Sequence, residues 1–178
     1  MKKVIYPIFA ALILVTSAFV TVNAVDYKVK DDFSIAFKSK DPNGSFEKMT
    51  GTVKFDESDL GSSKFDLSID VASIKTGNGM MEKKAQTEEW FNASKFPKIK
   101  FVSSKIEKSD AGYTITGNLT MKGVTKEIKV PAKLKKSGEE LEFTGTFKVN
   151  RMLHKVGKSS DAVPDVMNIT YSLPVGKK

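Results

Sequence analysis

The only histidine of the chain, His154, lies near the residue types that complete a hydrolase triad. Ser159, Ser160 and Asp161 follow it in a polar stretch that contains glycine. Nucleophilic serines of this kind usually sit on a strained turn such as G-x-S-x-G, and no such turn surrounds either serine. The pattern therefore favours an exposed loop histidine, and the sequence predicts no catalytic residue.

Acid–base chemistry, metal binding and phosphate binding also lack the required spacing. The carboxylate pairs Glu88-Glu89 and Glu139-Glu140 are adjacent, so in a strand or a helix their side chains diverge. One histidine and no cysteine exclude most metal-ligand sets. The stretch Thr76-Gly77-Asn78-Gly79 lacks the Lys-Ser/Thr of a phosphate loop and predicts a plain turn. We therefore expect a protein that is not an enzyme and that uses no metal or cofactor.

Two single residues keep some binding potential. Arg151 is the only arginine, and its planar fork suits either an anionic headgroup or backbone carbonyls at a strand end. Trp90 is the only tryptophan, and its ring suits either a pocket wall or a core cap. The sequence leaves both alternatives open.

The first residues have the pattern of a secretory signal peptide. Lys2 and Lys3 precede a mainly apolar stretch that ends at Val22-Asn23-Ala24, a small-x-small cleavage pattern. The alternative is a retained anchor, but the stretch is short, is broken by Pro7 and has no basic cluster after it. We predict a signal peptide at 1–24 and one domain at 25–178, located in the periplasm or secreted.

The charge distribution bears on possible partners. The net charge is +8, yet the basic residues alternate with acidic ones along the chain instead of forming a stripe with aromatic residues. This pattern predicts no nucleic-acid partner. It allows membrane contact that is at most transient.

Apolar residues alternate with polar ones through most of the remaining chain. Successive side chains of a strand point to opposite faces, so a period of two predicts antiparallel strands with one buried face. The alternating positions are Phe33, Ile35 and Phe37; Met49, Gly51, Val53 and Phe55; Phe65, Leu67, Ile69 and Val71; Ile99 and Phe101; Tyr113, Ile115, Gly117, Leu119 and Met121; Ile128, Val130, Ala132 and Leu134; Leu141, Phe143, Gly145, Phe147 and Val149; and Ile169, Tyr171 and Leu173.

Turn signals separate these runs and set the topology. Tight turns are predicted at Asp41-Pro42-Asn43-Gly44, Ser109-Asp110-Ala111-Gly112, Lys136-Ser137-Gly138 and Lys122-Gly123-Val124. Connections this short force neighbouring strands to pair antiparallel. About eight strands in one domain favour closure, because closure removes exposed edges. The predicted fold is an all-β, up-and-down antiparallel β-barrel of about eight strands with one short helix.

That helix is predicted at 79–91, where helix-forming residues replace the alternation. Asn78 suits the N-cap and Pro97 lies beyond the far end. We expect the helix to lie over the barrel or its mouth. Whether it gates a pocket stays open.

The inward face of the predicted barrel is apolar and carries no ionisable residue. A barrel of eight strands is just filled by side chains or has room for one small ligand. Glycines at 51, 117 and 145 fall on this face, where they relieve curvature or open volume, and we expect a cavity. The predicted ligand-binding residues are Met49, Val53, Phe55, Phe65, Leu67, Ile69, Trp90, Phe101, Ile115, Leu119, Met121, Phe143, Phe147 and Arg151.

Four stretches resemble the YceI-like family of exported lipid-binding proteins. The clearest, GNLTMKGVTK at 117–126, is similar to that family's G-x-L-T-[ILM]-[KH]-G-V-T-[KR] hairpin. VASIKTGN at 71–78 resembles its V-x-S-I-x-T-x-N run, and WFNASKFPKIKFVS at 90–103 its F-F-D-A-x-K-Y-P-x-I-x-F-x-S stretch. VNR at 149–151 resembles the start of I-N-R-x-D-F-G. The likeness keeps its order from about Phe46 to Leu173.

Two departures accompany the resemblance. The family's helix often begins R-D-x-H-L, whereas this chain has MEKKA at 81–85, and the D-F-G after Asn-Arg is replaced by LHKVG at 153–157. The resemblance implies a lipocalin-like barrel that holds a polyisoprenoid or related amphiphile. The predicted function is binding of a long-chain apolar lipid for transport, storage or stress response in the cell envelope. The alternative is a structural or surface-interaction barrel with a filled core and no ligand.

Overall fold

The computed structural model describes residues 24–39, 42–160 and 162–178, and most of these residues form β-strands. The signal peptide predicted at 1–24 lies outside the described residues apart from Ala24. The strands are β1 (Val25–Val29), β2 (Ser34–Lys38), β3 (Gly44–Phe46), β4 (Met49–Phe55), β5 (Lys64–Asp70), β6 (Ile74–Lys75), β7 (Lys98–Ser109), β8 (Gly112–Met121), β9 (Val124–Ser137), β10 (Glu140–Asn150) and β11 (Val166–Lys177). One α-helix, α1 (Gly79–Gln86), and 3₁₀ turns at Leu60–Ser62, Val71–Ser73 and Arg151–His154 complete the regular elements of these ranges.

The strands form a closed antiparallel barrel with eight strand positions, which we call staves because some of them consist of two strand segments in line. The hydrogen-bonded order is β1-β4-β5-β7-β8-β9-β10-β11, and β1 closes the circle by pairing with β11, with Tyr27 opposite Lys177. Three staves are broken into two segments, since β2, β3 and β6 continue the staves of β1, β4 and β5 towards one end. The predicted eight-stranded up-and-down barrel is confirmed. The predicted alternation did not include β1.

The two ends of the barrel are built differently. At the closed end, short turns and the 56–63 loop connect the strands. At the other end, called the mouth here, the longer segments 76–97 and 151–165 connect them. The β8–β9 turn, also at the mouth, has positive φ at both Lys122 (46°) and Gly123 (74°), the conformation of a two-residue type I′ hairpin.

Aromatic rings fill the closed end. Phe143 packs edge-on against Phe55 and Phe65 with ring centroids 5.1 and 5.0 Å away, and Phe55 packs in the same way against Tyr113 at 5.5 Å. All four side chains are buried, and each buried ring contributes about 1.5–3 kcal/mol of hydrophobic stabilisation. We call these four residues the aromatic plug. It closes the barrel interior at this end.

The Tyr113 hydroxyl extends the plug to the surface. It donates a hydrogen bond of 2.6 Å to the carboxylate of Glu57, which also pairs with Lys136. Burial and this carboxylate raise the pKa of Tyr113 to about 12, so the phenol stays protonated.

The helix α1 is shorter than predicted. Asn78 is its N-cap, as expected, and accepts hydrogen bonds from the N–H groups of Met80 and Met81. The helix ends at Gln86 rather than near residue 91, because Thr87 adopts an extended conformation and Asn92 a positive φ of 51°. These turns direct Trp90 and Phe91 towards the barrel interior. No helix within the described ranges combines the length and apolarity required to cross a bilayer.

The wall has a seam between β9 and β10. These strands pair only where Glu140–Thr144 faces Lys133–Ser137, and the facing edges then separate towards the mouth. Two side chains bridge the seam. The Tyr171 hydroxyl donates to the Pro131 carbonyl at 2.8 Å, and the His154 ring hydrogen-bonds to the Val124 carbonyl at 3.0 Å.

The inward glycines allow strands to approach closely and do not open volume. A Cβ at Gly51 or Gly117 would collide with a backbone carbonyl of the neighbouring strand and with the side chain of Leu67 or Phe101, respectively. At Gly145 it would collide with the Pro131 carbonyl and with the ring of Tyr171. The expectation that these glycines open a cavity is wrong. Neighbouring backbone carbonyls and side chains take the space that a side chain at these positions would need.

A test of this role is Gly145→Ala. Because the added methyl group has to displace a backbone carbonyl and the Tyr171 ring, we expect a loss of about 1–3 kcal/mol in the free energy of unfolding, measured by urea denaturation. Gly79→Ala is the matched control, since a Cβ there meets no atom within 4 Å. Equal stabilities of the two variants would contradict the close-approach role.

Candidate ligand-binding cavity

The mouth half of the barrel contains a cavity of about 300 Å³. Its walls come from inward side chains of β2, β5, β7, β8, β10 and β11, and the segments 76–91 and 162–163 border it at the mouth. The only ionisable residues among the described residues that line it are Lys84 and Arg151. The cavity is therefore an apolar space with positive charge at its entrance.

A second cavity of about 90 Å³ lies deeper. Both cavities are lined by Ile35, Ile69, Ile99, Leu119 and Phe147. The deeper one is bounded by Phe65 of the aromatic plug. The two cavities therefore adjoin at these five shared side chains and together follow the interior from the mouth to the plug.

The structure places eleven of the fourteen predicted ligand-binding residues on a cavity wall. Those at the mouth cavity are Ile69, Trp90, Leu119, Met121, Phe147 and Arg151. Those at the deeper cavity are Met49, Phe65, Leu67, Phe101 and Ile115, again with Ile69, Leu119 and Phe147. The other three, Val53, Phe55 and Phe143, line neither cavity. They lie at the filled closed end with 0 to 5% of their surface exposed, because alternation identifies the inward face but not the level in the barrel.

Several lining residues were absent from the predicted set. Ile35, Ile99, Val149 and Ile169 belong to the alternating pattern, so the signal for them was present. Phe46, Ile74, Phe91, Val156 and Met167 come from short strand segments, connecting segments and a strand end, where no period marks the inward side. The part of the wall made by irregular chain was therefore not predictable from periodicity.

Arg151 is committed to the protein backbone. Its guanidinium is 4% exposed and donates hydrogen bonds of 2.7–3.0 Å to the carbonyls of Val156, Lys158, Val163 and Pro164. It also forms an ion pair with Asp165 at 3.2 Å. Of the two alternatives for this residue, the geometry matches the structural one, in which arginine holds the 151–165 segment. No donor of its fork is left free for a headgroup.

Trp90 lies at the cavity entrance between two cations. Its ring centroid is 5.4 Å from the Arg151 guanidinium carbon and 5.9 Å from the Lys84 ammonium nitrogen, within the range of cation–π attraction. Gly157 approaches the ring so closely that a Cβ there would lie 2.9 Å from ring carbons. The indole N–H is buried without a hydrogen-bond partner among the described residues.

Lys122 links the two connecting segments at the mouth of the barrel by hydrogen bonds. Its ammonium donates to the carbonyls of Glu89 and Lys155, both at 2.8 Å, so the β8–β9 turn holds both of the segments 76–97 and 151–165. Burial lowers the pKa of Lys122, and the nearby carboxylates of Glu88 and Glu89 partly offset this effect.

His154 is not the exposed loop residue that the sequence suggested. It is 2% exposed, and its Nδ1–H donates to the Val124 carbonyl across the seam. Burial is the main cause that lowers the pKa of the ring, so the neutral form is favoured. Its serine-rich surroundings concealed this role, since alternation does not extend to the 3₁₀ turn.

The structure gives the serines after the 3₁₀ turn other partners. Ser159 donates to the Asp165 carboxylate at 3.3 Å, and Ser160 accepts a hydrogen bond from the Val163 N–H. Asp161 lies outside the described residues. Nor does the described part of the chain hold a group of three or more His, Cys, Asp or Glu placed to bind a metal ion.

The family of this chain follows from a match that covers most of its length. A family model for the YceI-like domain matches residues 17–175. The chain belongs to the YceI-like family. The resemblance found in the sequence motifs is thereby confirmed.

Curated relatives include proteins named YceI and proteins named UPF0312. A YceI protein from Salmonella agona is 31% identical over 140 residues, which cover 74% of this chain and 72% of that protein. A UPF0312 protein from Pectobacterium atrosepticum is 38% identical over 97 residues, 54% of this chain and 50% of the relative. The match spans about half the length of several such relatives.

Solved structures agree with this YceI-like fold. BcnA from Burkholderia cenocepacia is similar with a TM-score of 0.74 and 29% identity, over 80% of this chain and 95% of that one. A YceI protein from Campylobacter jejuni reaches 0.71 at 24% identity, over 79% and 88%. A polyisoprenoid-binding domain from Saccharophagus degradans reaches 0.68 at 11% identity, over 87% and 99%, which shows a shared fold.

The two stretches in which the sequence differs from the family motifs quoted above both lie at the mouth of the barrel. The departing stretch 81–85 supplies Met81, Lys84 and Ala85 to the cavity border. The departing stretch 153–157 supplies Val156 to the lining and His154 to the seam.

The buried His154 predicts a pH dependence of stability. The unfolded chain binds a proton near pH 6.5 and the folded chain only at lower pH, so stability falls as pH drops below about 6.5, by at most about 1.4 kcal/mol per pH unit. Urea denaturation at pH 7.5, 6.5 and 5.5 measures this loss. His154→Gln, which retains a donor for Val124, should lack it. Parallel loss in both proteins would contradict the assignment to this single histidine.

Proposed function

We propose that this YceI-like barrel binds one long apolar lipid chain, a polyisoprenoid or similar amphiphile, and thereby transports or stores it in the cell envelope. The observation that carries the proposal is the pair of apolar cavities that runs from the mouth to the aromatic plug. The described residues that line the deeper cavity include no Asp, Glu, Lys, Arg or His, and its only polar side chains are those of Ser34, Tyr171 and Ser172, so it suits a hydrocarbon chain. The Saccharophagus degradans domain, described as polyisoprenoid-binding, has the same fold and supports this ligand class.

Affinity for such a chain comes from burial alone. Each CH₂ group moved from water into the cavity contributes about 0.8 kcal/mol, so a long chain needs no polar anchor. The apolar end lies in the deeper cavity between Phe101, Ile115 and Phe147, and the other end reaches the mouth. The eleven predicted residues on the cavity walls form the contact surface, while Arg151 shapes the entrance by holding its loop.

The polar end of the ligand lies beside Lys84. This ammonium group borders the mouth cavity, is exposed and lies over the Trp90 ring. A cation at an apolar entrance favours a headgroup with acceptor oxygens, such as a phosphate or a carbonyl.

Export is part of the proposal. The first strand begins at Val25, directly after the predicted cleavage site, and its pairing with β4 and β11 requires no earlier residue. The domain 25–178 would then act in the periplasm or outside the cell, as a binding protein rather than an enzyme. Its membership of a family of binding barrels supports the latter point.

Blocking the cavity tests the proposal. Leu119 lines both cavities, so Leu119→Trp fills the space between them and should lower the lipid recovered per protein by at least tenfold. Solvent extraction and mass spectrometry of purified protein measure the lipid. Asn118→Trp is the matched control, because Asn118 is the neighbour of Leu119 in the sequence and its side chain is exposed on the outer face of the barrel. Circular dichroism establishes that both variants fold, and unchanged loading of Leu119→Trp would refute the site.

Delipidation separates this proposal from a filled barrel that takes no ligand. A ligand that binds only the folded state stabilises it by about 2.7 kcal/mol at a concentration one hundred times its dissociation constant. We therefore expect the free energy of unfolding to fall by roughly that amount when lipid is removed, and to recover when it is restored. A filled barrel that takes no ligand would show the same free energy of unfolding before delipidation, after it and after lipid is restored.

A further inference from the structure

The mouth end collects the exposed apolar side chains of the described residues. The exposed large hydrophobic residues are Met80 (79%), Met81 (40%), Leu153 (58%) and Val166 (44%). They lie on α1, on the 3₁₀ turn after β10 and on the first residue of β11, which are all at the mouth. Scattered exposed apolar residues are ordinary, but their restriction to one end is not.

The connecting segments at the mouth and those at the closed end also differ in charge. Within the mouth segments that the structure describes, three glutamates at 82, 88 and 89 face six lysines, Lys83, Lys84, Lys95, Lys122, Lys155 and Lys158. Arg151 and Asp165 pair with each other. Conversely, the closed-end connections 56–63, 110–111 and 138–139 carry five acidic residues and no lysine or arginine.

Ion pairing neutralises part of the acidic charge at the closed end and leaves lysines uncompensated in the described part of the mouth. Two closed-end acids, Glu57 and Glu139, are paired with strand lysines. At the mouth, Lys83, Lys84 and Lys95 form no ion pair among the described residues. The barrel therefore has a basic mouth with uncompensated lysines and a closed end whose connections are acidic.

We propose that the mouth end docks on an anionic lipid bilayer, with Met80 and Met81 among the lipid headgroups and the cavity open to the membrane. This docking rests on the proposed function, because its advantage is that a lipid chain passes directly from the bilayer to the cavity without contact with water. Exposing the chain would cost about 0.8 kcal/mol per CH₂. Met81 borders the cavity as well as the surface, so it lies at the point of transfer.

The distribution of the apolar residues favours a membrane over an acidic protein. Met80 and Met81 lie between β6 and β7, whereas Leu153 lies on the other side of the barrel order, after β10. These apolar side chains are separated from one another around a rim that carries lysines. A fluid bilayer can contact all of them at once, because it is uniform along its surface, whereas a protein would need a matching pocket for each. The closed-end connections, which carry acidic residues and no lysine or arginine, gain no attraction to an anionic bilayer, and this difference orients the barrel with its mouth towards the lipid.

Flotation with lipid vesicles tests the docking. Full-length mature protein should float with vesicles of phosphatidylcholine and phosphatidylglycerol at low salt. It should not float with phosphatidylcholine alone, nor in 0.5 M NaCl, where charges are screened. A lysine near an anionic surface contributes about 1 kcal/mol, a factor of about five in binding. Lys83→Glu combined with Lys95→Glu should therefore lower the bound fraction at least tenfold.

The matched control reverses two lysines at the closed end. Lys54 and Lys64 are exposed cross-strand neighbours, so Lys54→Glu with Lys64→Glu makes the same change in net charge. This variant should bind vesicles like the wild type. Equal losses in both double variants, or no flotation of the wild type with anionic vesicles, would overturn the proposal.

The absence of cysteine allows a direct test of orientation. Met80→Cys at the mouth and Asp110→Cys at the closed end each provide one site for an environment-sensitive dye. Only the dye at position 80 should shift to shorter wavelengths on anionic vesicles, and a shift at position 110 alone or at both would overturn the proposed orientation. Lys83 and Lys95 do not line the cavity, so lipid loading of their variant should persist. A wild type that binds anionic vesicles but contains no lipid and takes none up from them would contradict the proposed function and leave the docking intact.

Discussion

Edge-to-face packing of four aromatic rings at the closed end is the interaction on which the rest of the molecule depends. Phe55, Phe65, Tyr113 and Phe143 fill the barrel where the connections are short, and they supply a dense core. A barrel of this size has just enough side-chain volume to fill itself. Because one half is packed in this way, the other half can remain hollow without loss of the fold. The aromatic plug also fixes how deep a ligand can reach.

Polar side chains near the cavity serve the architecture of its entrance. Arg151 gathers the carbonyls of its own loop, Lys122 holds two segments together, and His154 spans the seam between β9 and β10. Each of these side chains donates to backbone carbonyls and thereby ties one segment of the mouth to another. Consequently the interior offers a ligand an apolar wall, with Lys84 as the exposed cation at the rim.

Periodicity in the sequence predicted the barrel, most of its strands and the apolar lining, because strand alternation follows directly from backbone geometry. It did not reveal the level of a residue along the barrel axis. Val53, Phe55 and Phe143 were therefore assigned to the cavity lining, although they lie at the filled closed end. Nor could it place His154, whose burial depends on a contact with Val124, thirty positions earlier in the chain. The inward glycines misled for a related reason. A missing side chain in the sequence gives no indication of which neighbour fills the gap.

Closure of the barrel joins the two extremes of the described chain, Tyr27 with Lys177. The ribosome makes Tyr27 long before Lys177, so β1 has only one of its neighbours, β4, until β11 has been synthesised. Its free edge is then available for association with other unfinished chains. A pairing between residues so far apart in the sequence favours slow folding, because the entropy of closing the chain is lost before the contact forms.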